Sequence, residues 1–195
     1  MSVTSSGTTL LREHEGRHVP HPGTYRLDPS HSTVEFVSRH LMIARVRGRF
    51  ADFTADLRIG ETPEDSSVEA VIQAASIDTG DDKRDEHLRS PDFFDVEHYP
   101  AISFHSTGIE PGAGDTWRVT GDLTVRDVTR LVQLEVSFEG ATVDPWGNER
   151  IAFTASTEVD REEWGLTWNV ALESGGVLVG RKVRLELAVE ATRVS

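Results

Sequence analysis

The sequence predicts a single all-β domain of antiparallel strands, and three observations carry that prediction. From Gly23 onward, apolar and polar residues alternate in segment after segment, the mark of strands with one dry face. Clusters of turn formers separate the segments: Glu110-Pro111-Gly112-Ala113-Gly114, Asp144-Pro145-Trp146-Gly147-Asn148 and Gly175-Gly176. The length, 195 residues, suits one domain or one domain plus a tail.

Residues 1 to about 22 are rich in Ser, Thr, Gly and His, carry Pro20 and Pro22, and show no sustained period. They read as a flexible N-terminal tail ahead of a domain spanning 23–195. His14, His18 and His21 read as surface histidines there, with capture of a metal ion as the sharper alternative. The first strand signals follow. Val34 and Phe36 alternate with Thr33 and Glu35, and Met42, Ala44, Val46, Gly48 and Phe50 alternate with Ile43, Arg45, Arg47 and Arg49. Val68 to Ala75 is nearly continuous in apolar residues, as for a strand dry on both faces.

Gly80 to Ser90 breaks the pattern. Acids at its start (Asp81, Asp82), Arg89 near its end and Pro91 just beyond predict a short helix near residues 80–90. A compact turn through Pro91-Asp92-Phe93-Phe94-Asp95 follows, its phenylalanines either plugging an open end or packing a loop on the core. Ile102 and Phe104 begin another strand, and Trp117, Val119, Gly121, Leu123 and Val125 supply one more. The clearest alternation is Val132, Leu134, Val136 and Phe138 against Gln133, Glu135, Ser137 and Glu139. Ile151 to Val159 and Val183 to Glu190 repeat it. Such regular strands and breaks fit a sandwich or a closed barrel.

Composition excludes several function classes. Twenty Lys and Arg against 33 Asp and Glu give a formal charge of −13, which repels nucleic acid and disfavours anionic lipid surfaces. A local patch can still bind one anionic head group. There is no cysteine, hence no disulfide, thiolate zinc site or cysteine nucleophile. No window approaches the roughly 18 apolar residues of a membrane-spanning helix. The opening residues lack the basic start and apolar run of a secretory signal, so the expected location is cytoplasmic.

Catalytic patterns are also missing: there is no G-x-S-x-G elbow, H-E-x-x-H pair or G-x-G-x-x-G turn. Gly175 to Lys182 only superficially matches a phosphate loop, because Arg181 and Lys182 stand where Lys and Ser or Thr are required. His87, His98 and His105 lack metal-site spacing. No metal site, cofactor or catalytic residue is predicted.

The residues do carry a resemblance. His31-Ser32-Thr33-Val34-Glu35-Phe36 with His40 is similar to the opening motif of the YceI-like family of lipid- and polyisoprenoid-binding proteins. So is the block Ser76-Ile77-Asp78-Thr79-Gly80, Arg84-Asp85 and His87-Leu88-Arg89-Ser90, which runs on through Asp92-Phe93-Phe94-Asp95-Val96 and Tyr99-Pro100 to Ile102, Phe104 and Ser106-Thr107. Gly121-Asp122-Leu123-Thr124-Val125, Val128-Thr129, Arg161 and Gly165-Leu166 complete the order. The resemblance covers about residues 23–192. Asp127 departs from it, standing where the family more often has glycine; the histidine-bearing tail is outside the family pattern, and many members look exported.

The resemblance implies a lipocalin-like antiparallel β-barrel of about eight strands enclosing a long apolar tunnel. It also implies the ligand, a polyisoprenoid or isoprenoid quinone. Phe36, Phe50, Phe104, Trp117 and Phe153 lie on apolar strand faces and are candidate wall residues, each equally able to fill a solid core. Trp164 and Trp168, flanking Leu166, line a mouth or anchor a loop. Candidates for a polar head are His31, His40, Asp85 and Arg161, all at motif positions. Against that role, Asp85 and Arg161 can form a buried ion pair, and His31 can cap the turn after Pro29. Arg45, Arg47 and Arg49 share one face, able to receive a pyrophosphate but expected to be a solvated exterior. The leading expectation is a non-enzymatic carrier, with a small-barrel isomerase or cyclase acting on a prenyl substrate as the alternative. A barrel mouth or sheet edge could also pair two copies as a homodimer.

Overall fold

The computed structural model describes residues 10–41, 43–173 and 176–194. Leu11–His14 (β1) and Arg17–Pro20 (β2) form a separate two-stranded hairpin. Then come Gly23–Leu27 (β3), Thr33–His40 (β4), Ala44–Phe50 (β5), Phe53–Ile59 (β6), Ser67–Gln73 (β7) and Ile77–Asp78 (β8). A helix, Asp82–Arg89 (α1), leads to Ala101–Pro111 (β9), Thr116–Val125 (β10), Val128–Val143 (β11), Glu149–Asp160 (β12) and Val179–Arg193 (β13).

The pairing defines a closed meander. β3 and β4 run end to end along one edge of β13 and face β6 and β5 respectively; β6 and β5 in turn face β7 and β8. These six segments are therefore three long strands broken midway. β7 pairs with β9, β9 with β10, β10 with β11 and β11 with β12, and β12 pairs with β13 to close an eight-stranded antiparallel barrel. Closure removes most of the sheet edge, although β5 pairs with β8 only at Arg49 and Phe50, and β11 meets β12 only from Glu135 onward.

The breaks have local causes. Pro29 cannot donate to a ladder, and the chain there is tied down instead by Asp28 N–H donating to the Glu190 carbonyl at 2.8 Å. Ser32 Oγ accepts from Glu190 N–H at 3.0 Å. Ala51-Asp52 and the 3₁₀ turn Ala74–Ser76 break the next two strands side by side, joined by Ala51 N–H to the Ser76 carbonyl at 3.1 Å. Gly140, at φ +136°, supplies a β-bulge between β11 and β12 that few other residues could adopt.

Val68 to Ala75 is not dry on both faces. Val71 is 40% exposed and points outward, while Val68, Ala70 and Ile72 face the interior; Ala74 is buried because the chain turns there, not because the strand is central.

α1 forms as its sequence requires. The Asp81 side chain caps it by accepting from Arg84 N–H at 3.0 Å. Arg89 reaches back to the carbonyls of Ala75 (2.8 Å) and Ile77 (2.7 Å), holding the helix against the barrel rim. Asp127, exposed in the tight Val125–Val128 turn, leaves the strained position to Arg126 at φ +58°.

The expectation of a flexible tail through residue 22 is corrected from residue 10 onward. Glu15-Gly16, both at positive φ, make a two-residue turn. Val19 and Pro20 are buried, and Arg12 donates to the carbonyls of Gly60 (2.7 Å) and Glu61. Arg17 donates to those of Thr116 (3.2 Å) and Gly112 (3.3 Å). Strands of four residues are too short to show a period, and two arginines bonded to loop carbonyls leave no pattern in sequence. Met1–Thr9, Met42 and Gly175, each part of a sequence expectation above, lie outside the described residues. No helix among the described residues is long and apolar enough to cross a membrane.

Candidate functional site

Each strand of the barrel turns alternate side chains inward, and those side chains do not fill the space between them. A cavity of about 370 Å³ runs through the barrel, within the usual range for small-ligand sites. The protein packs solidly near its two ends. Tyr25, Leu57, Ile151 and Ala191 form one cluster beside the hairpin, and Phe50, Ile77, Ile102 and Trp164 belong to the other, beside α1. Between them, wall residues such as Leu134, Leu185 and Ala155 face inward yet stay only half-buried, because the cavity leaves them without packing partners.

Both ends are covered. Val19 and Pro20 of the hairpin lie at one end, where the Arg17 guanidinium sits 5.1 Å over the Trp117 ring. At the other, Leu88 of α1, Phe93, Phe94, Trp164 and Leu166 line the cavity. Phe94 meets Phe50 edge-on at 5.8 Å. The paired phenylalanines thus plug the barrel end as well as pack their loop.

The predicted wall residues Phe36, Phe50, Phe104, Trp117 and Phe153 all line the cavity, and so does Trp164, expected at a mouth or as a loop anchor. Close backbone approach positions two of them: Phe36 lies over Gly48, and Phe104 over Gly121, where a Cβ would have no room. Trp164 is anchored by donating Nε1–H to the Leu123 carbonyl at 3.0 Å. Trp168 does not line the cavity mouth and takes the other expected role: it meets His87 edge-on at 4.5 Å and lies tilted 5.5 Å from Phe93, anchoring the loop to α1.

Of the four predicted head-group residues, one reaches the cavity. His31 is exposed and binds Asp28 at 3.0 Å, closing the turn after Pro29. His40 ends β4 outside the cavity lining. Asp85 is buried but spent on the Thr79 hydroxyl and on Thr79 N–H at 3.0 Å, which ties α1 to β8. It does not meet Arg161, so the expected ion pair does not form.

Arg161 does line the cavity and is 5% exposed. Its Nε–H donates to the Gly180 carbonyl at 3.0 Å, Nη1 to that of Leu166, and Nη2 to that of Val179 at 3.4 Å. Burial pulls this guanidinium below its ordinary pKa, with Glu162 and Asp160 acting the other way. Those two carboxylates bind Arg181 instead, at 3.0 and 2.8 Å. Sequence reasoning missed Ser38, although it follows Val34 and Phe36 on the inward face. Its buried hydroxyl has no hydrogen-bond partner among the described residues.

Arg47 bridges Glu35 and Glu186, and Arg49 binds Asp78, all on the barrel exterior. The Arg45-Arg47-Arg49 face is therefore an outer surface, with Arg47 and Arg49 ion-paired and Arg45 exposed. The N-terminal histidines do not gather into a metal site. Among the described residues, the donors that converge are Asp28, His31 and Glu190. Arg150 already supplies the cation there, at 2.7 Å from Asp28 and 2.6 Å from Glu190.

A closed antiparallel meander with a hollow apolar interior and capped ends defines a barrel of the lipocalin-like class. Comparison with known proteins narrows the class: the model of the YceI-like domain matches residues 25–191, and the chain belongs to that family. A UPF0312 protein of Staphylococcus epidermidis is 34% identical over 169 residues, covering 85% of this chain and 95% of the relative. The crystal structure of Burkholderia cenocepacia BcnA shares the fold, with a TM-score of 0.73 and 24% identity over 85% of this chain and 99% of that one. So does a polyisoprenoid binding domain from Saccharophagus degradans implicated in plant cell wall breakdown, with a TM-score of 0.65 and 16% identity, covering 89% of this chain and all of that one. The hairpin precedes the matched region.

Proposed function

We propose that the protein binds a long-chain isoprenoid lipid, a polyisoprenoid or isoprenoid quinone, in the barrel cavity, and carries or stores it without transforming it. The observation that carries this reading is an elongated, almost wholly apolar cavity lined from every side of the barrel. Membership of the YceI-like family, together with a polyisoprenoid binding domain among this chain's structural neighbours, supports the same ligand class. Burying a methylene releases about 0.8 kcal/mol, so each prenyl unit adds several kcal/mol gross, enough for useful affinity after ordering costs.

The scatter of the polar candidates favours carriage over chemistry. His31 and His40 lie off the cavity, and Asp85 is consumed by Thr79, so a general acid and base are not brought together on a bound chain. Native mass spectrometry and solvent extraction of gently purified protein test the proposal. They should recover a long-chain species at near one per barrel, and stripped protein should take up a prenyl quinone. Protein that is always recovered empty and takes up none would refute it.

A further inference from the structure

The cavity is apolar along its length, but its α1 end holds two polar groups that the fold leaves incompletely used. One is Arg161, a buried cation facing carbonyl oxygens and no carboxylate. Three of its N–H groups are accounted for by those carbonyls. One hydrogen on each terminal nitrogen has no acceptor among the described residues, and a guanidinium presents such a pair as a fork matched to an oxyanion. The other is Ser38, whose buried hydroxyl is unpartnered. Both border the start of β13: Arg161 binds the carbonyls of Val179 and Gly180, and Ser38 pairs in register with Val183.

A guanidinium taken out of water costs several kcal/mol unless it meets an opposite charge, and carbonyl dipoles offset only part of that. The carboxylates nearest in sequence are held by Arg181 at the surface. At the opposite end Arg12 also binds carbonyls, but it is only half-buried and within reach of solvent. Among the described residues, Arg161 is thus a desolvated positive charge with no carboxylate in ion-pair contact, its guanidinium 5.9 Å over the Phe93 ring, at one end of an otherwise oily channel.

Building on the proposed isoprenoid-binding role, we infer that the α1 end is a head-group subsite for a single-chain amphiphile ending in an oxyanion, a phosphate or a carboxylate. Arg161 neutralises the charge and Ser38 donates a hydrogen bond. The chain extends past Phe104 towards Trp117 at the hairpin end. A neutral head of the same chain length leaves the guanidinium uncompensated and binds more weakly.

The test compares geranylgeranyl monophosphate with geranylgeraniol, which share a chain and differ in the head. Oleic acid against oleyl alcohol repeats it for a carboxylate. Affinities for stripped protein are measured by calorimetry. In the wild type the anionic member of at least one pair should bind about ten- to a hundredfold tighter. Arg161→Met should bring that ratio close to one while the neutral member still binds; Arg161→Lys should keep part of it, and Ser38→Val should lower it severalfold. A merely structural Arg161 would weaken both members alike. Equal binding of both heads in the wild type, or a preference that survives Arg161→Met, overturns the subsite and leaves the carrier role standing. Failure of every probe to bind overturns both. Should Arg161→Met not fold, the wild-type ratio with Arg161→Lys and Ser38→Val decides by the same criteria.

Discussion

Replacing Ala155 with leucine asks whether the barrel is hollow, because the hollow and the packed interior predict opposite signs. Ala155 sits on β12 between Val136 and Leu187 and faces the cavity. Leucine adds three carbon atoms, which in an empty cavity find apolar neighbours and displace no side chain. Recovering cavity volume is worth about 24 cal/mol per Å³, so three carbons stabilise the empty protein by roughly 1–2 kcal/mol. For a chain of this size that raises Tm by about 2–8 °C. The same carbons exclude about three carbons of ligand, a loss of about 2.4 kcal/mol at 0.8 per methylene, or roughly fiftyfold in Kd. Differential scanning calorimetry of stripped protein and titration with a prenyl quinone read the two effects separately. In an interior packed like an ordinary core, overfilling costs about 1–3 kcal/mol. A lowered Tm with unchanged affinity would refute the cavity and the function built on it.

Two further outcomes follow from particular contacts. A Cβ at Gly121 would lie 2.5 Å from the Phe104 ring and 2.6 Å from the His105 carbonyl; the ring can yield but the backbone cannot. Gly121→Ala should therefore cost about 1–3 kcal/mol in chemical denaturation and push Phe104 into the channel, and unchanged stability would show that β9 and β10 separate freely there. Asp28 is held down to a pKa of about 2 by its bond to Arg150, then by His31. Its folded pKa is below the unfolded value near 3.8, so its contribution is full above that value and lost as pH falls towards 2. Melting followed from pH 5 to pH 2 should show this loss in the wild type and a shallower one in Asp28→Asn; parallel curves would mean that the Arg150 cluster is not the acid-sensitive element.

How much could be read beforehand depended on the range of the forces involved. β11, β12 and β13 alternate cleanly because one face meets water and the other does not, a signal each residue carries by itself. α1 was legible for a similar reason, since Asp81 caps it within its first turn and Pro91 follows its end, although Arg89 also reaches back to Ala75 and Ile77. The walls Phe36, Phe50, Phe104, Trp117 and Phe153 followed from alternation, as Ser38 would have done had polar residues on the inward face been sought as well. The hairpin was hidden because its hold on the barrel comes from Arg12 and Arg17 reaching loops far along the chain. The polar motif residues stayed open between two roles for the opposite reason. Asp85 and His31 satisfy local turns through Thr79 and Asp28, and a residue needed to fold a corner leaves the same trace in sequence as one needed to hold a ligand.

The ring of ladders around the hairpin half of the barrel has a kinetic consequence. There a chain cannot slip out sideways without severing consecutive backbone bonds, so traffic must swing the β1–β2 hairpin aside or pass the α1 rim, where β5 pairs with β8 only at Arg49 and Phe50 and β11 meets β12 only from Glu135 onward. Residence time is then governed by how often a stopper opens, and two lipids of very different affinity could leave at similar rates. The Arg12 and Arg17 anchors, lying ahead of the stretch shared with the family, would let this chain set its own clock for release without altering the greasy lining that decides what is held.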